Sequence, residues 1–216
     1  MPKMLFVPYS QRIIKNIIFD LGGVVLDIEY KRTLDEFKTL GAESLESIFT
    51  LTSQVELFNR LDCGLVSPNE FRDELRRSLK LNASDAEVDH AWNSLLLNWN
   101  PQRLQLLEKL RRHYRIFLLS NTNIIHSNLY NEWLMDISGG RNLQDYFDKV
   151  YYSYEVGLRK PNPEIFRLVL QENGLKESET LFIDDTLEHI VSAKKLGLLT
   201  YQIKPREGET IMELFQ

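Results

Sequence analysis

Short apolar runs of strand length alternate along this chain with longer stretches whose apolar residues recur every three or four positions, the period of a helix face. Ile13 to Phe19 predicts a buried strand that stops at Asp20, and Arg115 to Leu119 predicts another that stops at Ser120. Lys149 to Tyr152, Thr180 to Ile183 (followed by Asp184 and Asp185) and Leu198 to Ile203 complete the strand pattern. The helix patterns between them have readable ends. Asn100 can cap a helix that begins at Pro101 and carries Leu104, Leu107 and Leu110 on its apolar side. Asn162 and Pro163 start another, with Ile165, Phe166, Val169 and Leu170 on one face and Gly174 as its stop. Strands alternating with helices predict an α/β fold: a parallel sheet flanked by helices.

The stretch from Glu29 to Trp99 departs from that alternation. It shows several helix patterns and no convincing strand, and so predicts a helical insert packed over the sheet as a lid. Leu45, Ile48, Phe49, Leu57 and Phe58 fit one helical pair, while Phe71, Leu75, Leu79, Val88, Trp92, Leu95 and Leu96 fit another. Trp92 and Trp99 read as core or hinge packing, with ligand stacking as the alternative.

Composition narrows the classes. A chain of 216 residues with 43% apolar content can bury a substantial core, as one compact unit with a smaller insertion. No apolar run approaches the roughly 20 residues that span a bilayer. Met1 to Arg12 lacks the apolar stretch and small-residue cleavage site of a secretion signal. The expectation is a cytoplasmic protein with no membrane partner. The single cysteine, Cys63, excludes an internal disulfide and reads as a reduced loop thiol or a reactive one. A net charge of −5 without a basic run argues against nucleic acid and leaves room for a small charged substrate. The pattern fixes no oligomeric state.

The candidate chemistry sits where the strands stop. Asp20 followed by Gly22 and Gly23 puts a carboxylate beside backbone N–H groups that can approach a phosphate, although Asp and Gly also mark ordinary strand-to-turn junctions. Ser120 and Asn121 offer a hydroxyl and an amide to phosphate oxygens, or a cap to the next helix. Lys160 offers positive charge, or only a Lys-Pro surface turn. Adjacent Asp184 and Asp185 close to Asp20 would repel by roughly 4 kcal/mol per pair at an effective dielectric of about 20, so a cation belongs among them. Mg²⁺, a hard ion with oxygen ligands, suits a phosphate substrate.

Taken together, Phe19-Asp20-Leu21-Gly22-Gly23-Val24, Leu119-Ser120-Asn121-Thr122, Arg159-Lys160-Pro161 and Phe182-Ile183-Asp184-Asp185 resemble, in order, the four motifs of the haloacid dehalogenase superfamily of hydrolases. Phe19 to Val24, Ser120-Asn121-Thr122-Asn123 and Arg159-Lys160-Pro161 look most like the branch containing glucose-1-phosphate phosphatases and related sugar phosphatases. The resemblance covers nearly the whole chain. It implies a Rossmann-like core over residues 12–28 and 101–216, with a helical-bundle cap inserted at 29–100. Asp62-Cys63-Gly64-Leu65-Val66-Ser67, followed by Glu70-Phe71, looks like the cap loop that screens substrates, which makes Asp62, Cys63 and Gly64 candidate substrate contacts. The resemblance further implies that Asp20 attacks phosphorus to give an aspartyl-phosphate that water hydrolyses. Mg²⁺ would be held by Asp20, the Gly22 carbonyl and Asp185, with Asp184 beside it or acting through water. Leu21, Gly22, Ser120, Asn121 and Lys160 would meet the phosphoryl group, and Lys160 would restrain the charge of Asp20.

One position departs from that pattern. Most phosphatases of the superfamily carry a second aspartate two residues after the nucleophile, where this chain has Gly22. General acid–base assistance is worth about 10²–10⁴-fold. A good leaving group, a cap-side group or water, or slow turnover would each account for the glycine. Asp27 and Glu29 are candidate substitutes or solvated hinge residues, and His189 either bonds Asp184 or caps local structure. The expected function is Mg²⁺-dependent hydrolysis of a small phosphorylated metabolite, a sugar phosphate foremost. The alternatives are carbon–halogen hydrolysis and non-catalytic phosphate binding, with phosphoryl transfer within one substrate disfavoured by Gly22.

Overall fold

The computed structural model describes residues 14–42 and 52–215. In chain order its elements begin with β1 (Asn16–Phe19), β2 (Leu26–Ile28), α1 (Tyr30–Thr39), α2 (Thr52–Asp62), α3 (Pro68–Leu79), α4 (Asp85–Asn93) and β3 (Leu96–Trp99). They continue with α5 (Pro101–Arg111), β4 (Arg115–Ser120), α6 (Ile124–Ser138), α7 (Leu143–Tyr146), β5 (Lys149–Tyr152) and α8 (Ser153–Val156). The last are α9 (Pro163–Asn173), β6 (Thr180–Asp184), α10 (Leu187–Lys195), β7 (Leu199–Gln202) and α11 (Ile211–Leu214).

Five strands form a parallel sheet in the order β5-β4-β1-β6-β7. β1 is central because its four residues are all buried and pair on both sides, with β4 and with β6. Side chains alternate across each strand. Ile17, Phe19, Ile116, Leu118, Leu181 and Ile183 therefore face one apolar layer, closed by α5 through Leu104, Leu107 and Leu110. Ile18, Phe117, Leu119 and Phe182 face the other, closed by Ile165, Phe166 and Val169 of α9 and Ala193 of α10. The helix ends fall where their capping residues predict: the Asn100 side chain accepts from Gln102 N–H, and that of Asn162 from Glu164 N–H. α9 stops at Gly174.

A third apolar cluster lies outside the sheet. Phe37 of α1, Leu57 and Leu61 of α2, Phe71, Leu75 and Leu79 of α3, and Val88 and Trp92 of α4 pack together, with Ile125 of α6 joining them. Two reciprocal capping boxes, Ser67 with Glu70 and Ser84 with Glu87, start α3 and α4. Arg72–Asp89 and Arg76–Asp85 pairs tie the two helices side by side. Of the helical pair expected from Leu45 to Phe58, Leu45, Ile48 and Phe49 lie outside the described residues, as does Ile13 at the start of the first strand.

The structure corrects the expectation that Glu29 to Trp99 holds no strand. Leu96–Trp99 is β3, antiparallel to β2, with Leu26 opposite Trp99 and Leu96 opposite Ile28. Leu95 and Leu96 do not continue α4, because Ser94 ends it and its hydroxyl donates to the Ala91 carbonyl. This two-stranded ribbon carries the chain from the sheet to the helical cluster and back. Trp99 is packing within it, its Nε1–H donating to the Tyr130 carbonyl at 2.8 Å. Among the described residues no helix is long and apolar enough to cross a membrane.

Candidate active site

Parallel strands deliver their carboxyl ends to one edge, and the polar residues that stop the apolar runs gather there. Asp20 follows β1, Ser120 ends β4 and Asp184 ends β6. Lys160, from the loop before α9, reaches between two of them: its Nζ lies 2.6 Å from Asp20 Oδ1 and 2.7 Å from Asp184 Oδ2. Its side chain is wholly buried.

Asn121 fixes that lysine. Its Oδ1 accepts from the Lys160 backbone N–H and its Nδ2 donates to the Lys160 carbonyl, both at 2.8 Å. The amide expected to hold phosphate oxygens thus holds the lysine's backbone. His189 also resolves: its Nδ1–H bonds Asp184 at 3.0 Å, the first of the two expected roles. Asp184 accepts in addition from Thr186 N–H, so both its oxygens are engaged.

Electrostatics separates the two aspartates. Burial raises Asp20 to about 7; Lys160 opposes the shift, while Asp184 and Asp185 add to it. Burial would raise Asp184 too, but Lys160 and then His189 reverse this and hold it to about 2. Lys160 is held above its ordinary value because Asp184 and Asp20 outweigh the effect of burial.

Oxygens of Asp20, Asp184 and Asp185 lie within 4.8 Å of one another. Set against one ammonium, three carboxylates leave two negative charges in a buried space. Each such pair repels by roughly 3–4 kcal/mol at an effective dielectric of about 20. An all-oxygen donor set of that charge fits a hard divalent cation such as Mg²⁺. Asp20 and Asp185 border the cavity, whereas the buried Asp184 does not. The cradle is close-fitting on one side: a Cβ on Gly23, whose φ is +76°, would meet Asp185 Oδ2 at 2.6 Å.

A cavity of about 400 Å³ opens from this edge towards the helical cluster. Leu26, Ile28, Leu95, Leu96, Phe58 and Trp92 form its apolar wall, and Asn59, Asp62, Asn123 and Arg159 are polar groups facing it. Asp20, Leu21, Gly22, Ser120 and Asn121 line its floor, while the buried Lys160 sits behind them. Asp62 lines the cavity, but Cys63 and Gly64 do not. Gly64 instead lies against the backbone of Tyr154, whose carbonyl oxygen would clash with a Cβ at its φ of +66°. At Gly22 a Cβ would meet Ile28 Cδ1 at 3.1 Å, so apolar contact from β2 fills the space beside this position.

Neither Asp27 nor Glu29 borders the cavity. Arg103 takes the first at 2.7 Å, and the second caps α1 through Lys31 N–H. Sequence reasoning assigned no role to Tyr30, Asn59 or Arg159, all of which line it. Adjacency to Lys160 was the available signal for Arg159. Trp92 is packed in the helical cluster, the first of its two expected roles, and its ring, stacked on His126 at 5.1 Å, also borders the cavity. Burial lowers His126 to about 3, and its Nδ1–H donates to Asn93 Oδ1 at 2.7 Å.

Comparison with known proteins gives a consistent picture. Residues 14–197 match the model of the haloacid dehalogenase-like hydrolase family. The chain is 35% identical over 198 residues to D-ribitol-5-phosphate phosphatase of Bacteroides thetaiotaomicron, covering 90% of this chain and 93% of that protein. A haloacid dehalogenase family enzyme of the same organism, solved with magnesium and inorganic phosphate, superposes with a TM-score of 0.77 at 39% identity, over 88% of this chain and 94% of that one. A haloacid dehalogenase-like hydrolase of Porphyromonas gingivalis superposes with a TM-score of 0.79 at 36% identity, over 88% and 91%.

Proposed function

This chain belongs to the haloacid dehalogenase-like hydrolase family, and from that premise we propose that it is a Mg²⁺-dependent phosphatase of a small phosphorylated polyol or sugar. The observation that carries the reading is Asp20: a carboxylate at the end of the central strand, on the floor of a cavity, clamped by a buried lysine beside two further aspartates. Similarity to a D-ribitol-5-phosphate phosphatase supports the substrate class, and a cavity of about 400 Å³ suits a metabolite of that size. Residues 12–28 and 101–216 serve as the catalytic core, and 29–100 as the cap that closes the cavity from above.

Asp20 attacks phosphorus, the bond to the leaving oxygen breaks, and the phosphoryl group rests on the Asp20 carboxylate until water displaces it. Lys160 engages Oδ1 of Asp20, which orients the carboxylate and favours its charged, nucleophilic form. Asn121 keeps Lys160 in place through both backbone groups. Ser120 offers its hydroxyl to the phosphoryl oxygens from the cavity floor. Asp20 and Asp185, with the Gly22 carbonyl, would hold Mg²⁺, and Asp184 would support them from behind through its bonds to Lys160 and His189. When bound, the ion neutralises the carboxylates and the phosphoryl oxygens. The cavity's apolar wall excludes water from the face of the substrate it covers.

The test is phosphate release from a panel of pentitol, pentose, hexose and aryl phosphates, with and without Mg²⁺. Metal-dependent release with a preference for polyol or sugar phosphates is the expected result. Release from none of them, with halide release from a haloacid instead, would overturn the reading.

A further inference from the structure

Hydrolysis of an alkyl phosphate moves a proton twice: onto the departing alkoxide, and off the water that attacks next. Gly22 carries no group to do this, and Ile28 packs beside it. Among the described residues the carboxylates lining the cavity are Asp20, Asp185 and Asp62. The first is the nucleophile and the second a cation ligand. We infer that Asp62, at the end of α2 on the helical side of the cavity, is the general acid–base of this reaction. The inference rests on the phosphatase reading above.

Asp62 is held at the junction of the two loops that build the phosphate end. Asn123, two residues beyond Asn121, donates from Nδ2 to Asp62 Oδ1 at 3.3 Å, and Arg159, next to Lys160, places Nη2 3.7 Å from Oδ2. Its side chain is 18% exposed, enough to meet a substrate and little enough to be partly stripped of water. Burial raises Asp62 to about 6, against the lowering effects of Arg159 and Asn123, which poises it to give and take a proton near neutral pH. The titratable groups that feel its charge are Arg159, Tyr30 and Cys63. Other proton carriers fit less well. Tyr30 is pushed up to about 12, His126 is neutral with its Nδ1–H committed to Asn93, and His189 is bound to Asp184.

In the first step an Asp20 oxygen bonds to phosphorus, the P–O bond to the substrate alcohol breaks with its electron pair going to oxygen, and protonated Asp62 gives that oxygen its proton. In the second, the Asp62 carboxylate takes a proton from water as the water oxygen bonds to phosphorus. The bond to Asp20 then breaks with its electrons returning to the carboxylate, so phosphate leaves and Asp62 is again protonated.

The experiment compares wild type with Asp62→Asn on ribitol 5-phosphate, whose alkoxide needs a proton, and on p-nitrophenyl phosphate, whose leaving group does not. Asp62→Asn should lose about 10²-fold or more in kcat/KM on the alkyl ester and less than about 10-fold on the aryl ester. The aryl reaction should show a burst of nitrophenolate, because the second step stalls. Arg159→Gln should move the limb of the kcat/KM profile set by Asp62 to higher pH, whatever its effect on the rate itself. Equal loss on both esters, no loss, or a limb that Arg159→Gln leaves in place would overturn the assignment, and the last result decides even where Asp62→Asn does not fold. A wild type that hydrolyses neither ester nor any other phosphate of the panel brings down the phosphatase reading and this inference together. A wild type that hydrolyses both, with an unimpaired Asp62→Asn, brings down the inference alone.

Discussion

Replacing Gly23 with alanine should weaken cation binding with every ligand residue kept. The new Cβ would lie 2.6 Å from Asp185 Oδ2 and 3.0 Å from its Cγ, well inside ordinary contact distance, so the carboxylate must swing away. A φ of +76° adds roughly 1–2 kcal/mol of backbone strain for a residue with a Cβ. The displaced oxygen belongs to Asp185, whose one side-chain partner among the described residues is Thr186 Oγ1 at 3.1 Å. Misplacing the support of a ligand typically costs 10–100-fold in metal affinity. Isothermal titration of Mg²⁺ into the purified protein reads that loss directly, and urea unfolding in EDTA reads the strain. Gly23→Ala with wild-type Mg²⁺ affinity would refute the placement of the cation between Asp20 and Asp185.

Lys160→Met should cost about 3–5 kcal/mol of stability in the absence of metal, because it strands two buried carboxylates. Asp20 has a folded-state value near 7, above its unfolded one, so its contribution to stability is present at low pH and lost as pH rises through 7. The Lys160→Met deficit should therefore be larger at pH 8 than at pH 5 in urea melts, and equal deficits would contradict the ion-pair account. Asn121→Ala removes two hydrogen bonds to the Lys160 backbone, for about 2 kcal/mol of stability, and should lower kcat by about 10²-fold through misplacement of the lysine. Gly64→Ala should destabilise by about 2–4 kcal/mol, since the clash is with the Tyr154 backbone and φ is positive; an unchanged thermal melt would show that the loop does not bear on the core.

The core and the floor of the site were legible because both rest on local rules. A buried parallel strand must be a continuous apolar run, so the first polar residue after it marks the sheet edge; Asp20, Ser120 and Asp184 were found that way. Asn100-Pro101 and Asn162-Pro163 read as helix starts because cap and first-turn chemistry is confined to neighbouring residues. The remainder depended on pairings distant in sequence. Leu96 to Trp99 is a strand only because Leu26 to Ile28 lies opposite, and the run by itself fits a helix end equally well. In sequence Asn121 offers itself as a phosphate donor, because its reach to the Lys160 backbone depends on where the α9 loop folds. Arg159 and Asn123 gained meaning only once α2 delivered Asp62 between them. Cys63 and Gly64 follow Asp62 directly in sequence but do not line the cavity, Gly64 lying against the Tyr154 backbone instead.

In the proposed reaction Asp20 carries the phosphoryl group. Enzyme turning over ribitol 5-phosphate with Mg²⁺ can be quenched in acid, digested and analysed by mass spectrometry, in parallel with Asp20→Asn. The expected result is a phosphoryl group on the peptide bearing Asp20 in the wild type, and neither adduct nor phosphate release in Asp20→Asn. Phosphate release at the wild-type rate from Asp20→Asn, or a phosphoryl group on another residue, would contradict it.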